Sequence, residues 1–190
     1  MTVTWPDHLL TIDDWAALPE DTRFRIEVVE GVLVVAPRPM SFHQRAVTRL
    51  SYLINEQLPR RYSALSEVDV VVEEKPLTVR APDVIVTTTA LADTNPARFA
   101  AADVLLALEV LSEGSVRTDR VTKFAEYAEV GIEQYWIVDL DAPVSLTAFR
   151  LAGGAYENSG EFTGDAELPF GDATLSLDLT ALTTSRAQRP

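Results

Sequence analysis

Apolar residues along this chain recur in short blocks that alternate between the spacing of strands and the spacing of helices. FRIEVVEGVLVVAP (24–37) reads as two strands meeting at Glu30-Gly31, where glycine tolerates positive φ. SFHQRAVTRLSYLINEQL (41–58) is the clearest helix: His43, Val47, Leu50 and Ile54 form one stripe, joined by Leu53, and Ser41 is the expected N-cap. EVDVVVEE (67–74) and APDVIVTT (81–88) read as strands separated by a turn around Lys75-Pro76. DVLLALEVLS (103–112) is apolar on both faces, the mark of a strand inside a covered sheet. TDRVTKFAEYAEVG (118–131) follows as an amphipathic helix ended by Gly131, then EQYWIVDLD (133–141) as a strand. Strand, helix, strand in that order is a crossover unit, so strands 103–111 and 134–139 should run parallel.

The ends are simpler. TIDDWAAL (11–18) reads as a short helix with Thr11 as cap and Asp14 giving a capping-box-like start. VSLTAFR and ATLSLDL are further strands within 144–182 that extend or flank the sheet. Together these elements predict an α/β (α+β) fold: one domain over residues 1–190, with its core at about 11–141.

Composition narrows the class. A chain of 190 residues with 47% hydrophobic content can bury a real core in one domain. It contains no cysteine, which excludes disulfides and thiolate metal sites and fits a reducing cytoplasm. MTVTWPDHLLTIDDW lacks the basic and apolar regions of a signal peptide, and no apolar run approaches the roughly 20 residues of a membrane span. The expectation is a soluble cytoplasmic protein without a membrane partner. The formal net charge of −13 repels polyanions at long range and weighs against nonspecific nucleic-acid binding. The basic residues are partly grouped, however: Arg45 with Arg49, Arg60 with Arg61, and Arg117 and Arg120 with Lys123.

One residue breaks the pattern. Glu109 stands inside the apolar run 103–112, and burying an unpaired carboxylate costs several kcal/mol. Asp83 opens the apolar strand PDVIV after Pro82. If these two strands pair, both carboxylates converge on one divalent ion, and hard oxygen ligands suit Mg²⁺ or Mn²⁺. A bound cation would offset the charge of Glu109. The alternatives are a strand-opening role for Asp83 and a structural Glu109 paired to an arginine or lysine.

The ordered set RIEVVEGVLVV, SFH, RAPDVIV and LALEVLSEGSVRTDRVTKFAEYAEVGIEQYWIVD resembles a bacterial family of "putative restriction endonucleases", formerly a domain of unknown function, within the PD-(D/E)XK nuclease superfamily. The resemblance runs from about Thr11 to Asp139, with a weaker tail. It implies a restriction-endonuclease-like mixed β-sheet flanked by helices, with Asp83 and Glu109 as metal ligands and the Val110 backbone carbonyl as a further one. The superfamily lysine two residues after the glutamate is here Leu111. The resemblance moves that role onto the following helix, to Lys123. Glu27 and His43 match the early motifs, Glu27 to bind metal or orient a water and His43 to bond a carboxylate or approach the scissile phosphate.

Each assignment has a plainer counterpart. Asp119 and Lys123 form an i, i+4 pair of the kind common on solvated faces, His43 shares a stripe with core residues, and Glu27 can be an ordinary strand carboxylate. Tyr135 and Trp136 read as packing, and Arg117 and Arg120 adjoin the expected site. The functional expectation is metal-dependent hydrolysis of phosphodiester bonds in nucleic acid, with DNA as substrate and a homodimer as the form that cuts both strands. Two rivals are a noncatalytic interaction protein that retains the fold and a hydrolase of a small phosphorylated substrate. GGAYENSG lacks the Lys-Ser/Thr end of a phosphate-binding loop.

Overall fold

The structure, a computed structural model, describes residues 7–18 and 24–184. The residues up to Pro6, on which part of the signal-peptide expectation rests, lie outside the described residues. Helix α1 (Ile12–Ala17) starts as its sequence predicts: the Thr11 hydroxyl accepts from the Asp14 N–H, and the Asp14 carboxylate accepts from the Thr11 N–H at 2.8 Å. Strands β1 (Phe24–Val29) and β2 (Val32–Pro37) form the expected hairpin, turning through Glu30 and Gly31 at φ 50° and 78°. A Cβ on Gly31 would lie 2.6 Å from Leu9 Cβ, so both the conformation and the contact require glycine. Helix α2 (Ser41–Gln57) buries His43, Ala46, Val47, Leu50 and Ile54. Its N-cap is Met40 rather than Ser41, with no side-chain capping bond, because Met40 is extended while its carbonyl already accepts from Gln44 N–H at 3.1 Å.

The middle of the chain is more finely divided than its sequence suggests. Strands β3 (Tyr62–Ser66), β4 (Val70–Glu74), β5 (Leu77–Arg80) and β6 (Val84–Thr88) follow in order. The Lys75-Pro76 turn returns the chain into β5, which pairs with β4, so segments 67–74 and 81–88 are not hairpin partners. Helix α3 (Thr89–Ala92), strand β7 (Phe99–Ala100) and a 3₁₀ turn lead to β8 (Leu106–Val110). The expected helix after β8 is a π-helical turn, Thr118–Lys123, running into α4 (Phe124–Glu129). Gly131 follows at φ 85°. Strands β9 (Gln134–Asp139), β10 (Ser145–Ala152), β11 (Ala155–Thr163), β12 (Asp165–Phe170) and β13 (Ala173–Asp178) complete the series.

The strands form a five-stranded sheet, β2-β1-β5-β4-β7, a six-stranded sheet, β11-β10-β9-β8-β6-β3, and the hairpin β12-β13. β8 and β9 pair parallel, as a crossover requires, and β6 pairs antiparallel with β8. Val84, Val86, Leu106 and Leu108 on one face of the six-stranded sheet join a core with Leu50 and Ile54 of α2 and Leu168 and Leu175 of the last hairpin. Ile85, Ala107 and Ile137 on the other face join Tyr127, Ile132 and Tyr135. β8 is therefore covered on both sides, and each fully buried leucine contributes roughly 1.5–3 kcal/mol. A smaller core joins Val28, Leu77 and Val79 of the five-stranded sheet to Leu10, which precedes α1. The result is a mixed α+β fold of mixed sheets flanked by helices. Among the described residues no helix is long and apolar enough to cross a membrane.

Candidate active site

The two larger sheets meet at a set of charged side chains. Period-two alternation puts Arg25 and Glu27 on one face of β1, and Arg80 closes β5 beside them. Asp83 immediately precedes β6, and Glu109 lies on the adjoining β8, where Val84 pairs with Leu108. Asp83 and Glu109 are each 1% exposed. The π-helical turn and α4 bring Asp119, Lys123, Glu126 and Tyr127 over this junction. π-turns inside helices are rare and concentrate at functional sites.

Asp83 has its two oxygens divided between partners. Oδ2 accepts from the Val110 N–H at 2.7 Å and lies 3.2 Å from His43 Nε2, while Oδ1 accepts from Arg25 Nη1 at 2.7 Å. His43 Nε2 is also 2.8 Å from the Val110 carbonyl. A carbonyl only accepts, so Nε2 carries the proton there, and the buried Nδ1 has no hydrogen-bond partner among the described residues. Burial raises the Asp83 carboxyl, but the His43 bond, Arg25 and the Val110 N–H outweigh it and hold it below the usual carboxylate range.

Glu109 is bound from the other side. Its Oε1 accepts from Lys123 Nζ at 2.8 Å and from the Tyr127 hydroxyl at 3.2 Å, and Oε2 lies 3.6 Å from Arg25 Nη2. Burial pushes its carboxyl up to about 8, with Lys123 opposing and the Asp83 and Asp119 carboxylates reinforcing. The Lys123 ammonium also lies 3.2 Å from Asp119 and 3.5 Å from Glu27. Burial would lower its pKa, but Glu109, Glu27 and Asp119 hold it well above the ordinary lysine value. Asp119 Oδ1 makes its ion pair without hydrogen-bond geometry, so the lysine's strongest commitment is to Glu109.

Glu27 completes the network. Arg80 Nη1 donates to its Oε2 at 2.9 Å, and the same guanidinium forms a fork with Glu126 at 2.8 and 2.7 Å. Burial raises the Glu27 carboxyl, but Lys123, Arg80 and Arg25 together hold it below its ordinary range.

All five side chains singled out in the sequence, Glu27, His43, Asp83, Glu109 and Lys123, therefore meet in one place, with the Val110 carbonyl among them. They line a cavity of about 790 Å³ that Arg25, Arg38 and Arg80 also border. The Asp119–Lys123 pair is buried at 1% and 3% exposure, not solvated as its spacing alone allows. The charge of Glu109 is offset within the chain by Lys123 and Arg25. Arg117 and Arg120 do not line the cavity, and Arg120 pairs with Asp139 at 3.3 Å. Arg25, Arg80 and Tyr127 have no distinct signal in the sequence. The weak hints were Arg25 and Glu27 two apart on a strand, and Lys123 and Tyr127 four apart on a helix.

The available donors suit a hard divalent ion. Asp83, Glu109 and the Val110 carbonyl offer oxygen only, and the guanidinium between the two carboxylates shows that the spot attracts a cation. Among the described residues no three His, Cys, Asp or Glu side chains gather as a ligand set. Two carboxylates with solvent and substrate oxygens is the sparse pattern that Mg²⁺ commonly uses.

The fold has a solved counterpart in the crystal structure of a "putative nuclease belonging to DUF820" from Anabaena variabilis ATCC 29413, with a TM-score of 0.72 and 22% sequence identity over 92% of this chain and 97% of that one. No curated protein matches the chain. The model of the Uma2 family, described as "Putative restriction endonuclease", matches residues 12–182, which cover the site and both larger sheets, and the chain belongs to that family.

Proposed function

We propose that this protein is a metal-dependent nuclease that hydrolyses phosphodiester bonds, with DNA as its substrate. The observation that carries this reading is the lysine ammonium 2.8 Å from the Glu109 carboxylate, at the wall of an open cavity that Asp83 shares. A structural ion pair needs no such cavity. Asp83, Glu109 and the Val110 carbonyl would hold Mg²⁺ or Mn²⁺, which supplies Lewis-acid polarisation of a phosphate and a lowered pKa for water at the site.

The chain's own groups then have separable tasks. His43 and the Val110 N–H fix the orientation of Asp83, so His43 is a positioning residue whose protonated Nε2 is already committed. Lys123 meets the negative charge that develops on the phosphate oxygens. Its longest contact, 3.5 Å to Glu27, is the one it gives up most easily to do so. Glu27, clamped by Arg80, keeps the lysine near that position. Cutting both strands of a duplex calls for two such sites, most simply in a homodimer.

The test is cleavage of duplex DNA by the full chain in Mg²⁺ or Mn²⁺, with a chelator control. Cleavage should require the metal and be lost in Glu109→Gln. Metal-loaded protein that leaves DNA intact would refute the reading. A second reading, hydrolysis of a small phosphorylated molecule, is favoured by the net charge of −13 and by a cavity within the roughly 300–1,000 Å³ range of small-ligand sites. Competition by mononucleotides against short oligonucleotides separates the two.

A further inference from the structure

Among the described residues, two carboxylate oxygens in this site have no partner besides one guanidinium. Asp83 Oδ2 is taken by the Val110 N–H and His43, which leaves Oδ1. Glu109 Oε1 is taken by Lys123 and Tyr127, which leaves Oε2. One guanidinium covers both remaining oxygens: Arg25 lies 2.7 Å from Asp83 Oδ1 and 3.6 Å from Glu109 Oε2. It also donates to the Ala81 carbonyl. Of the three cations in the network, only Arg25 pairs with both carboxylates, since Lys123 serves Glu109, Glu27 and Asp119 and Arg80 serves Glu27 and Glu126.

Charge and space point the same way. The connected network of described residues holds five acidic side chains (Glu27, Asp83, Glu109, Asp119 and Glu126) against three cations (Arg25, Arg80 and Lys123), so acidic groups outnumber the cations that serve them. A divalent ion would add positive charge where it is short. It cannot reach Asp83 Oδ1 while a guanidinium sits at hydrogen-bonding distance, and two cations on one carboxylate repel. The Arg25 side chain is 18% exposed and borders the cavity, so it has somewhere to move.

We infer that Arg25 is an internal counter-cation that holds the metal position in the metal-free protein, and that a divalent ion binds by displacing its guanidinium from Asp83 and Glu109 into the cavity. This rests on the metal-dependent reading above. It gives the protein a reason to carry an arginine between two ligands. The metal-free carboxylates are kept from repelling each other, and apparent metal affinity is set by a competition within the chain.

Calorimetric titration of Mn²⁺ into the full chain tests it, with Arg25→Gln and Asp83→Asn alongside. Removing the competitor should tighten Mn²⁺ binding about tenfold or more, because charge-assisted hydrogen bonds no longer have to break. Asp83→Asn should lose binding. A measurement on the unmutated chain guards against a variant that fails to fold. The Arg25 Nε–H signal of arginine-labelled protein, assigned through Arg25→Lys, should move on titration with diamagnetic Mg²⁺ and saturate with the metal. An Arg25 signal unmoved at Mg²⁺ saturation overturns the inference and leaves metal dependence standing. So does a folded Arg25→Gln chain that binds Mn²⁺ no more tightly than the wild type. No metal binding by either the wild type or Arg25→Gln overturns both.

Discussion

Lys123 lies fourteen residues beyond Glu109, yet its ammonium is 2.8 Å from that carboxylate, and both side chains are almost wholly buried. The connection between them leaves β8, passes Gly114 and Ser115, and returns through a π-helical turn. Lys123 thus compensates Glu109 and also presents a cation to the cavity.

Removing this lysine should be costly. Lys123→Ala leaves Glu109 and Asp119 without their main cation, and stranding a buried charge typically costs about 3–5 kcal/mol. For a chain of this size that lowers Tm on the order of 10 °C. Denaturant unfolding of Lys123→Met, Glu109→Gln and the double variant should give a coupling of about 1–3 kcal/mol. Additive effects would contradict a direct pair. In the folded variant, phosphodiester hydrolysis should fall by about two orders of magnitude or more.

Stability should respond to pH through Glu109. A carboxyl raised from 4.5 to about 8 contributes fully while protonated and loses its contribution as pH climbs through that interval. Asp83, held low, acts in the opposite sense, and its contribution is lost only as pH falls below the ordinary aspartate value. With a chelator present, Tm should therefore decline between about pH 5 and pH 8, and Glu109→Gln should flatten that decline. Parallel Tm curves for the two proteins would show that Glu109 does not titrate there.

Divalent metal should raise thermal stability by binding the native state. At a hundredfold excess over Kd the gain is about 2.7 kcal/mol. Differential scanning calorimetry should show the shift with Mn²⁺ or Mg²⁺ in the wild type and lose most of it in Asp83→Asn. An equal shift in both proteins would place the metal elsewhere.

Salt dependence locates the phosphate contacts. Arg38 borders the cavity and is exposed, and neither Arg117 nor Arg120 lines it. If DNA crosses the cavity mouth, Arg38→Ala should reduce the slope of log affinity against log salt by about one, and Arg117→Ala should leave it unchanged. The reverse pattern in a filter-binding or anisotropy titration would put the strand over the helix face instead.

Local pattern was enough wherever one side chain's burial follows from its neighbours in the chain. The stripe His43, Val47, Leu50, Ile54 determines α2, the double-faced apolar run determines a covered β8, and strand-helix-strand order determines the parallel pairing of β8 with β9. It also put Asp83 at the start of one apolar strand and Glu109 inside another, and the structure shows that those strands pair. What it left open is what depends on partners distant along the chain. The four residues of β5 are too few to show a period, so the assignment of β4 and β6 to different sheets had to wait for the hydrogen bonds between strands. Asp119 and Lys123 stand four apart whether their face meets water or Glu109, and only the packing of that turn over β8 removes the water. Arg25 looks like any strand arginine. Its meeting with Asp83, 58 residues on, arises because β1 lies in one sheet, Asp83 leads into the other, and the fold brings these two strands together around charges that need partners to be buried.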